Sequence, residues 1–497
     1  MNLMMLLEMS AQGFGDRTAF IHGDDSLSYQ ELFTAAGRAA ERLRDENVAH
    51  MGMLDISSLA LPIALFAAAW AGRPFVPVNY RLAEDDIEAL LTRIVPAEVI
   101  VDSAITTAVE GVQAIDRDRF IKMARDGGPQ PEHNWTMDPE DVAVLLFTSG
   151  TTGAPKAAML RHRHLASYIL SSIEFGSALG EKALVCVPPY HIAGVSSVVS
   201  SVYAGRTVVQ MPNFDAETWV DLVQRHEIST AFLVPTMLRQ IVAVLEQRGE
   251  PELSSLRSIS YGGGKMPQAV IRRAMELLPD SRFTQAYGLT ETSSTICVLL
   301  PEQHREALVS EDPAVRRRLS SLGHPLPGIE LQIRDSEGNV LAPGERGEIF
   351  VRGEQVSGEY VGKGSLLDAQ GWFATRDAGE LDAAGFLYLE GRQDDVIVRG
   401  AENMSPGEIE DVLLKHESVA DVAVVGVPDD HWGEAVAAVV VLHADAAVTV
   451  QELQAWVRQH LRSSKVPSQI FFDAALPYNE TGKLLRRVVR QQLAEAG

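Results

Sequence analysis

The chain has 497 residues, 46% hydrophobic and 22% charged, enough apolar material for a sizeable core and too much for wholesale disorder. Lys and Arg number 43 against 67 Asp and Glu, and the net charge of -24 argues against electrostatic binding to nucleic acid or an anionic membrane; a polyanionic ligand has to be held by local donors. Length allows about three domain-sized units, or one large composite domain with a smaller companion.

The N-terminus, MNLMMLLEMSAQGFGDR, is apolar but has no basic residue before Arg17 and carries Glu8, so it lacks the n-region of a secretory signal and reads as an amphipathic first helix. Ser26 to Asp45 starts like a strand and then spaces Leu32, Ala36, Ala40 and Leu43 as a surface helix does. Leu59 to Ala71 is expected to be a buried helix; this longest apolar stretch is too short for a membrane span and contains Pro62, so no transmembrane segment is expected. PFVPV reads as a strand and NYRLAEDDIEALL as a helix. Strands are then expected at Ala97 to Val101, Ala183 to Val187, Thr207 to Met211, Thr230 to Val234 and Ser258 to Tyr261, separated by helical segments: an α/β body of doubly wound sheets. Cys186 and Cys297 lie in apolar runs and read as buried free thiols of a reducing compartment; without an exporting signal, the cytoplasm is the expected location.

Between those strands lie the residues that carry chemistry. Val142 to Phe147 is a buried-strand run that empties into Thr148, Ser149, Gly150, Thr151, Thr152, Gly153, Ala154, Pro155 and Lys156. The glycines let successive N–H groups turn toward one point, and four hydroxyls and an ammonium add donors, which is a device for holding phosphate oxygens. No GK[ST] follows at the spacing of a Walker loop, so the kinase reading loses its support. His191, in PPYHIAG, is either a satisfied core histidine or an imidazole closing a pocket. Gly262, Gly263 and Gly264 in SISYGGGKM are either a flexible turn or a place where a planar ring lies against the backbone. In YGLTET, Tyr287 can stack on a nucleobase, Thr290 can donate to an α-phosphate and Glu291 can hold magnesium.

Glu302 to Arg318 reads as one charged helical segment, and after Pro325 an alternating pattern around Gly and Asn turns suggests a small β-rich subdomain. Asp377 can accept ribose hydroxyls and Arg392 can reach ribose or phosphate. From Asp394 a compact α+β unit of about a hundred residues is expected, with a helix from Pro406, paired strands in DVAVVGV and AVAAVVVL, a helix from Val450 to Leu461, a strand IFFDA and a last helix from Leu484. Lys483, in PYNETGK, is expected to open that helix, where a lysine opposes the positive end of the dipole.

Taken together and in order, the segments from Thr148 to Lys483 resemble the acyl-CoA synthetases of the adenylate-forming superfamily, whose other members are adenylation domains and luciferases; VRGAENMSPGEIE is similar to the form seen in chlorobenzoate-type CoA ligases, and the chain as a whole resembles these and the fatty acid CoA ligases. The family usually has Pro where Lys265 stands, Gly where Arg376 stands and a second Gly where Ala401 stands. The resemblance implies an adenylate-forming (AMP-binding) domain over residues 1–393 and a mobile domain over 394–497, hinged at Asp394. It implies ATP, magnesium and coenzyme A as co-substrates: Thr148 to Lys156 on the β and γ phosphates, Glu291 on the metal, Thr290 on the α-phosphate, Lys483 on the charge between carboxylate and phosphate. Arg399, Gly400, Glu402 and Asn403 would approach the adenylate in the thiol step, and Trp432 would either stack on the CoA adenine or stand as a surface aromatic.

The acid pocket drawn from His191, Ala193, Gly194, Thr236, Gly262, Gly263 and Ile296 is small or apolar, which favours a monocarboxylic fatty, alicyclic or aryl acid. An amino acid is disfavoured, because the acidic residue that amino-acid-activating members place near His191 is missing. The rivals are an enzyme loading a carrier protein and a catalytically silent nucleotide-binding regulator. A homodimer is compatible with all of these.

Overall fold

The computed structural model describes residues 1–497 except 45–46, 103–104, 106–107, 127–131, 149–154, 250–252, 393–394, 400–401, 430, 445, 480–481, 483 and 497, together with the side chains of 402, 403, 495 and 496. Local signals set many of its elements. Ser28 starts the helix Tyr29–Leu43 by a reciprocal cap, its hydroxyl accepting from Glu31 N at 3.1 Å while Glu31 Oε2 accepts from Ser28 N at 2.7 Å. Leu32, Ala36, Ala40 and Leu43 form its buried face, as their spacing predicts. The helix Ala60–Ala71 is buried on all sides except at its last residue, which fits a sequence without a polar stripe.

The chain divides into two compact units. The first comprises Met1–Leu319, His324–Glu330 and Val351–Phe373 and carries two large sheets. One is nine-stranded, in the order His324–Pro325, Ser294–Leu299, Arg282–Leu289, Ser258–Gly262, Thr230–Leu233, Lys182–Val185, Thr207–Gln210, Thr18–His22, Asp25–Ser28. Its strands from Arg282–Leu289 through Thr18–His22 run parallel, so their carboxyl ends open on one edge, where open α/β sheets bind ligands. The other is eight-stranded, in the order Gly364–Ser365, Glu359–Tyr360, Lys156–Arg161, Val142–Thr148, Phe75–Pro77, His50–Leu54, Ala97–Val101, Val112–Asp116. Among the described residues the apolar cores of this unit include one around Trp70, Phe66 and Phe20, one around Trp219, Tyr261 and Phe283, and one around Leu54, Val99 and Leu145.

The second unit comprises Ser320–Gly323, Leu331–Phe350 and Ala374–Gly497. It groups the expected β-rich piece, strands Glu330–Arg334, Gly347–Arg352, Phe373–Leu381 and Leu387–Arg392, with a five-stranded sheet in which Val419–Asp429 and Gly433–Leu442 pair antiparallel as expected. Among the described residues, no helix is long and apolar enough to cross a membrane.

Two expected elements differ. The charged segment Glu302 to Arg318 is two helices, Pro301–Val309 and Pro313–Arg317: Ser310 is extended, and Asp312 caps the second helix by accepting from Ala314 N at 2.9 Å ahead of the proline ring. The last helix begins at Arg486 instead of Leu484, because Leu484 is bridged to Tyr478 and Leu485 N donates to Pro477 O at 2.8 Å. Lys483, expected to open that helix, itself lies outside the described residues.

Candidate active site

Val142–Thr148 and its return strand Lys156–Arg161 are antiparallel with Thr148 opposite Lys156, and Thr148 Oγ1 donates to Lys156 O at 3.3 Å. The expected phosphate loop is thus a hairpin connection clamped at its base. Ser149, Gly150, Thr151, Thr152 and Gly153 lie outside the described residues. Sequence reasoning missed Arg93, which donates to Pro155 O at 2.5 Å and lies 5.0 Å from the Phe147 ring, touching the chain just before and just after the loop. It comes 62 residues ahead of Pro155, and no local pattern marks it.

YGLTET leaves the strand Arg282–Leu289 through a 3-10 turn, Thr290–Thr292. Thr292 Oγ1 accepts from Leu289 N at 2.9 Å and donates to Ser294 O at 2.8 Å, closing the turn from within. Neighbouring chain fixes it from outside: Gln355 Nε2 donates to Thr292 O and Thr295 O, and Ser357 N and Gly358 N donate to Glu291 O at 2.8 and 3.2 Å. The Tyr360 hydroxyl donates to Glu291 Oε1, and the Tyr360 ring lies 5.8 Å from Lys156 Nζ. Glu291, on the turn after a strand of one sheet, and Lys156, on a strand of the other, therefore both lie against one tyrosine. Among the described residues no cluster of three His, Cys, Asp or Glu could hold a metal. A lone carboxylate suits magnesium, which takes one or two from the protein and fills its shell with water and substrate phosphates. Thr290 is half-buried at the same edge, while Tyr287 is buried within the strand.

The other parallel strands bring the expected pocket residues to this edge. His191 ends the segment after Lys182–Val185 and stands at the N-cap position of the helix Ile192–Ala204 without a side-chain cap; its ring lies 4.8 Å from that of Tyr190. Thr236, half-buried, sits in the first turn of the helix that follows Thr230–Leu233, Ala193 is half-buried, and Ile296 is fully buried on the adjacent antiparallel strand. Gly194 and Gly262 are glycines for the chain's own sake: a Cβ would lie 2.4 Å from Pro188 O at the first and 2.2 Å from Ala286 O at the second. Room for a planar ring thus rests on Gly263 and Gly264, the former exposed with φ of +80°.

In the second unit, Asp377 and Arg392 face each other across Phe373–Leu381 and Leu387–Arg392 and form an ion pair at 3.0 Å. Arg376 just before them has φ of +61°, its N–H donating to Glu348 Oε1 at 3.1 Å. This is the left-handed conformation glycine adopts freely and other residues at about 1–2 kcal/mol, which explains why a glycine is usual there. Arg376→Gly is expected to stabilise the protein by about 1 kcal/mol; an unchanged or lower denaturant midpoint would contradict the strain. Arg399 donates to Ser464 O at 2.6 Å and its guanidinium lies 5.4 Å from the ring of Trp432, which is 54% exposed. Gly400, Asp394 and Lys483 lie outside the described residues.

Comparison with known proteins gives the family. The family model described as AMP-binding enzyme matches residues 7–361, and that of the AMP-binding enzyme C-terminal domain matches 408–483. The chain is 33% identical over 494 residues to a 2-succinylbenzoate–CoA ligase of Bacillus subtilis, covering 97% of each protein. It is 32% identical over 490 residues to the fatty acid–[acyl-carrier-protein] ligase ScoC of Streptomyces coeruleorubidus, covering 94% of this chain and 92% of that one. Its fold matches the structure of the o-succinylbenzoate CoA synthetase MenE from Bacillus subtilis with the acyl-adenylate intermediate OSB-AMP (TM-score 0.84, 32% identity, 98% and 97% of the chains), and that of the same enzyme with ATP and magnesium ion (TM-score 0.83, 31% identity, 98% and 99%).

Proposed function

Since the chain belongs to the AMP-binding enzyme family, we propose that it is an ATP-dependent acid–CoA ligase, which converts a carboxylic acid to an acyl-adenylate with release of pyrophosphate and then to an acyl-CoA. The observation that carries this reading in the structure is the meeting of Glu291 and Lys156 on Tyr360 at the carboxyl edge. A carboxylate is a poor electrophile; moving AMP onto it creates a mixed anhydride that a thiol can open. One acid oxygen bonds to the α-phosphorus as the bond to pyrophosphate breaks. The thiolate then bonds to the acyl carbon as AMP leaves. No enzyme nucleophile is required, because in-line positioning and charge neutralisation carry the barrier.

In this reading Lys156 and the loop behind it hold the outer phosphates, Thr290 the α-phosphate and Lys483 the charge that builds between acid and phosphorus. Glu291 would hold magnesium, which when bound neutralises triphosphate charge. Asp377 would take the ribose hydroxyls with Arg392 keeping the carboxylate in place, and Arg399 with Trp432 would serve the CoA side. His191, with Ala193 and Thr236 beside it, would line a site for a monocarboxylic fatty, alicyclic or aryl acid.

The thiol step needs the segment from 394 to turn about its hinge. Asp395 supports that reading: it pairs with Arg490 at 3.4 Å and Arg486 at 3.9 Å, so the first residue past the hinge is tied to the last helix. The turn also has to break the bond from Ser405 Oγ to Glu390 O at 2.7 Å. Asp394→Pro is expected to slow thioester formation at least about tenfold more than adenylation, through loss of the hinge torsion; equal losses in both half-reactions would count against a hinge there.

Screening carboxylic acids for ATP-dependent pyrophosphate release, then adding CoA without any carrier protein, tests the reading directly: acyl-CoA is expected, and silence across a broad panel would leave the regulator reading. The relative named for acyl-carrier-protein ligation favours a second reading, in which the acyl group passes to a carrier thiol; release of acyl-AMP unaltered by CoA would support it. A cytoplasmic location fits Cys186 and Cys297, both buried and unpaired, with burial pushing the Cys186 thiol up to about 12. Sedimentation distinguishes monomer from homodimer.

A further inference from the structure

We propose that Tyr360 is a positioning residue that sets the affinity of this site for the magnesium-bound nucleotide; the inference rests on the reading of Glu291 and Lys156 given above. Its hydroxyl donates to one oxygen of the Glu291 carboxylate. A phenol donating to a carboxylate is a charge-assisted hydrogen bond, and it fixes the side chain's rotamer while leaving the other oxygen for a cation. The face of the same ring lies 5.8 Å from Lys156 Nζ, within reach of a cation–π contact that steers the ammonium.

Tyr360 cannot drift while doing this. It is 8% exposed, and its strand pairs with Ala158, two positions past Lys156. Val361 N donates to Ala157 O at 3.0 Å, and Arg161 grips Glu359 through two bonds of 2.7 and 2.9 Å. Ser357 N and Gly358 N, just upstream, hold the Glu291 carbonyl. The segment 357–361 therefore fixes backbone and side chain of Glu291 at one end and the root of the phosphate loop at the other. A tyrosine that only filled space would need neither its hydroxyl nor this register.

Tyr360→Phe in the full chain removes the hydroxyl and keeps the ring. Binding of ATP measured by calorimetry across a magnesium titration is expected to show a magnesium midpoint raised at least about tenfold, the scale of losing a partner that orients a metal ligand. ATP binding in EDTA should stay at the wild-type value. Tyr360→Leu, which also removes the ring, should in addition weaken ATP binding in EDTA as Lys156 loses its support. A Tyr360→Phe protein with the wild-type magnesium midpoint overturns the inference alone. A wild-type protein that binds ATP no better with magnesium than in EDTA overturns the functional reading and the inference with it.

Discussion

Replacing Lys483 by alanine is expected to lower acid-dependent ATP–pyrophosphate exchange by about 100- to 1,000-fold, the usual loss when one donor aimed at transition-state charge is removed. As acid oxygen and α-phosphorus close, negative charge accumulates between groups that are already anionic, in a chain whose net charge is -24. Local cations must supply what the protein's field cannot. Lys483 lies outside the described residues; near it in sequence, Tyr478 is bridged to Leu484, its hydroxyl donates to Asp421 at 2.9 Å, and Gly482 N donates to Asn479 O at 2.9 Å. Thioester formation from supplied acyl-adenylate should be nearly unaffected. Exchange at the wild-type rate in Lys483→Ala would remove the residue from the first half-reaction.

Arg486→Met should cost about 3–5 kcal/mol of stability in the unit that carries this turn, the usual penalty for breaking a buried ion pair and leaving one charge behind. Arg486 NH2 meets both oxygens of Glu410 at 2.6 Å, and Glu410 Oε1 also accepts from Val424 N at 2.8 Å. Glu410 is 7% exposed. Without the guanidinium its carboxylate keeps, among the described residues, the Val424 N–H as donor in a dry setting. The double variant Glu410→Met, Arg486→Met should recover much of the loss, because two apolar side chains leave no orphaned charge. Hydrogen exchange read over Val419–Asp429 and Arg486–Ala496 measures the effect locally; protection equal to wild type in Arg486→Met would show the pair to be dispensable.

The sequence was most legible where one element obeys one rule. Ser28 and Glu31 announce their helix, and the apolar spacing behind them names its buried face. The runs at Ala97–Val101 and Ser258–Gly262 are strands because β-branched and aromatic residues pack well on a pleat. Pro313 is a local signal too: a proline in the middle of a charged helical pattern is a stop and a fresh start, and the structure has both.

Other features had no local signature. Arg376 occupies a left-handed position that only its pairing with Glu348 and the neighbouring strands explains. Gly262 looks like space for a ligand in the sequence, yet the space belongs to Ala286 O of the next strand. Which strand comes next is a fact about sheet order, and a one-dimensional pattern does not carry it.

By itself the sequence determined the chemical inventory: a hydroxyl-rich loop, a carboxylate and a lysine near the end of the chain, each written in a few adjacent residues. Tertiary structure alone decided which of these share a neighbour. Glu291 and Tyr360 are 69 positions apart, and the ring that joins Glu291 to Lys156 belongs to a short strand added at the far side of the phosphate hairpin. Short-range rules fix what a segment can do because they act through adjacent backbone and side-chain atoms; which segments meet is fixed by how whole sheets bury their faces, and that free energy is spread over the entire chain.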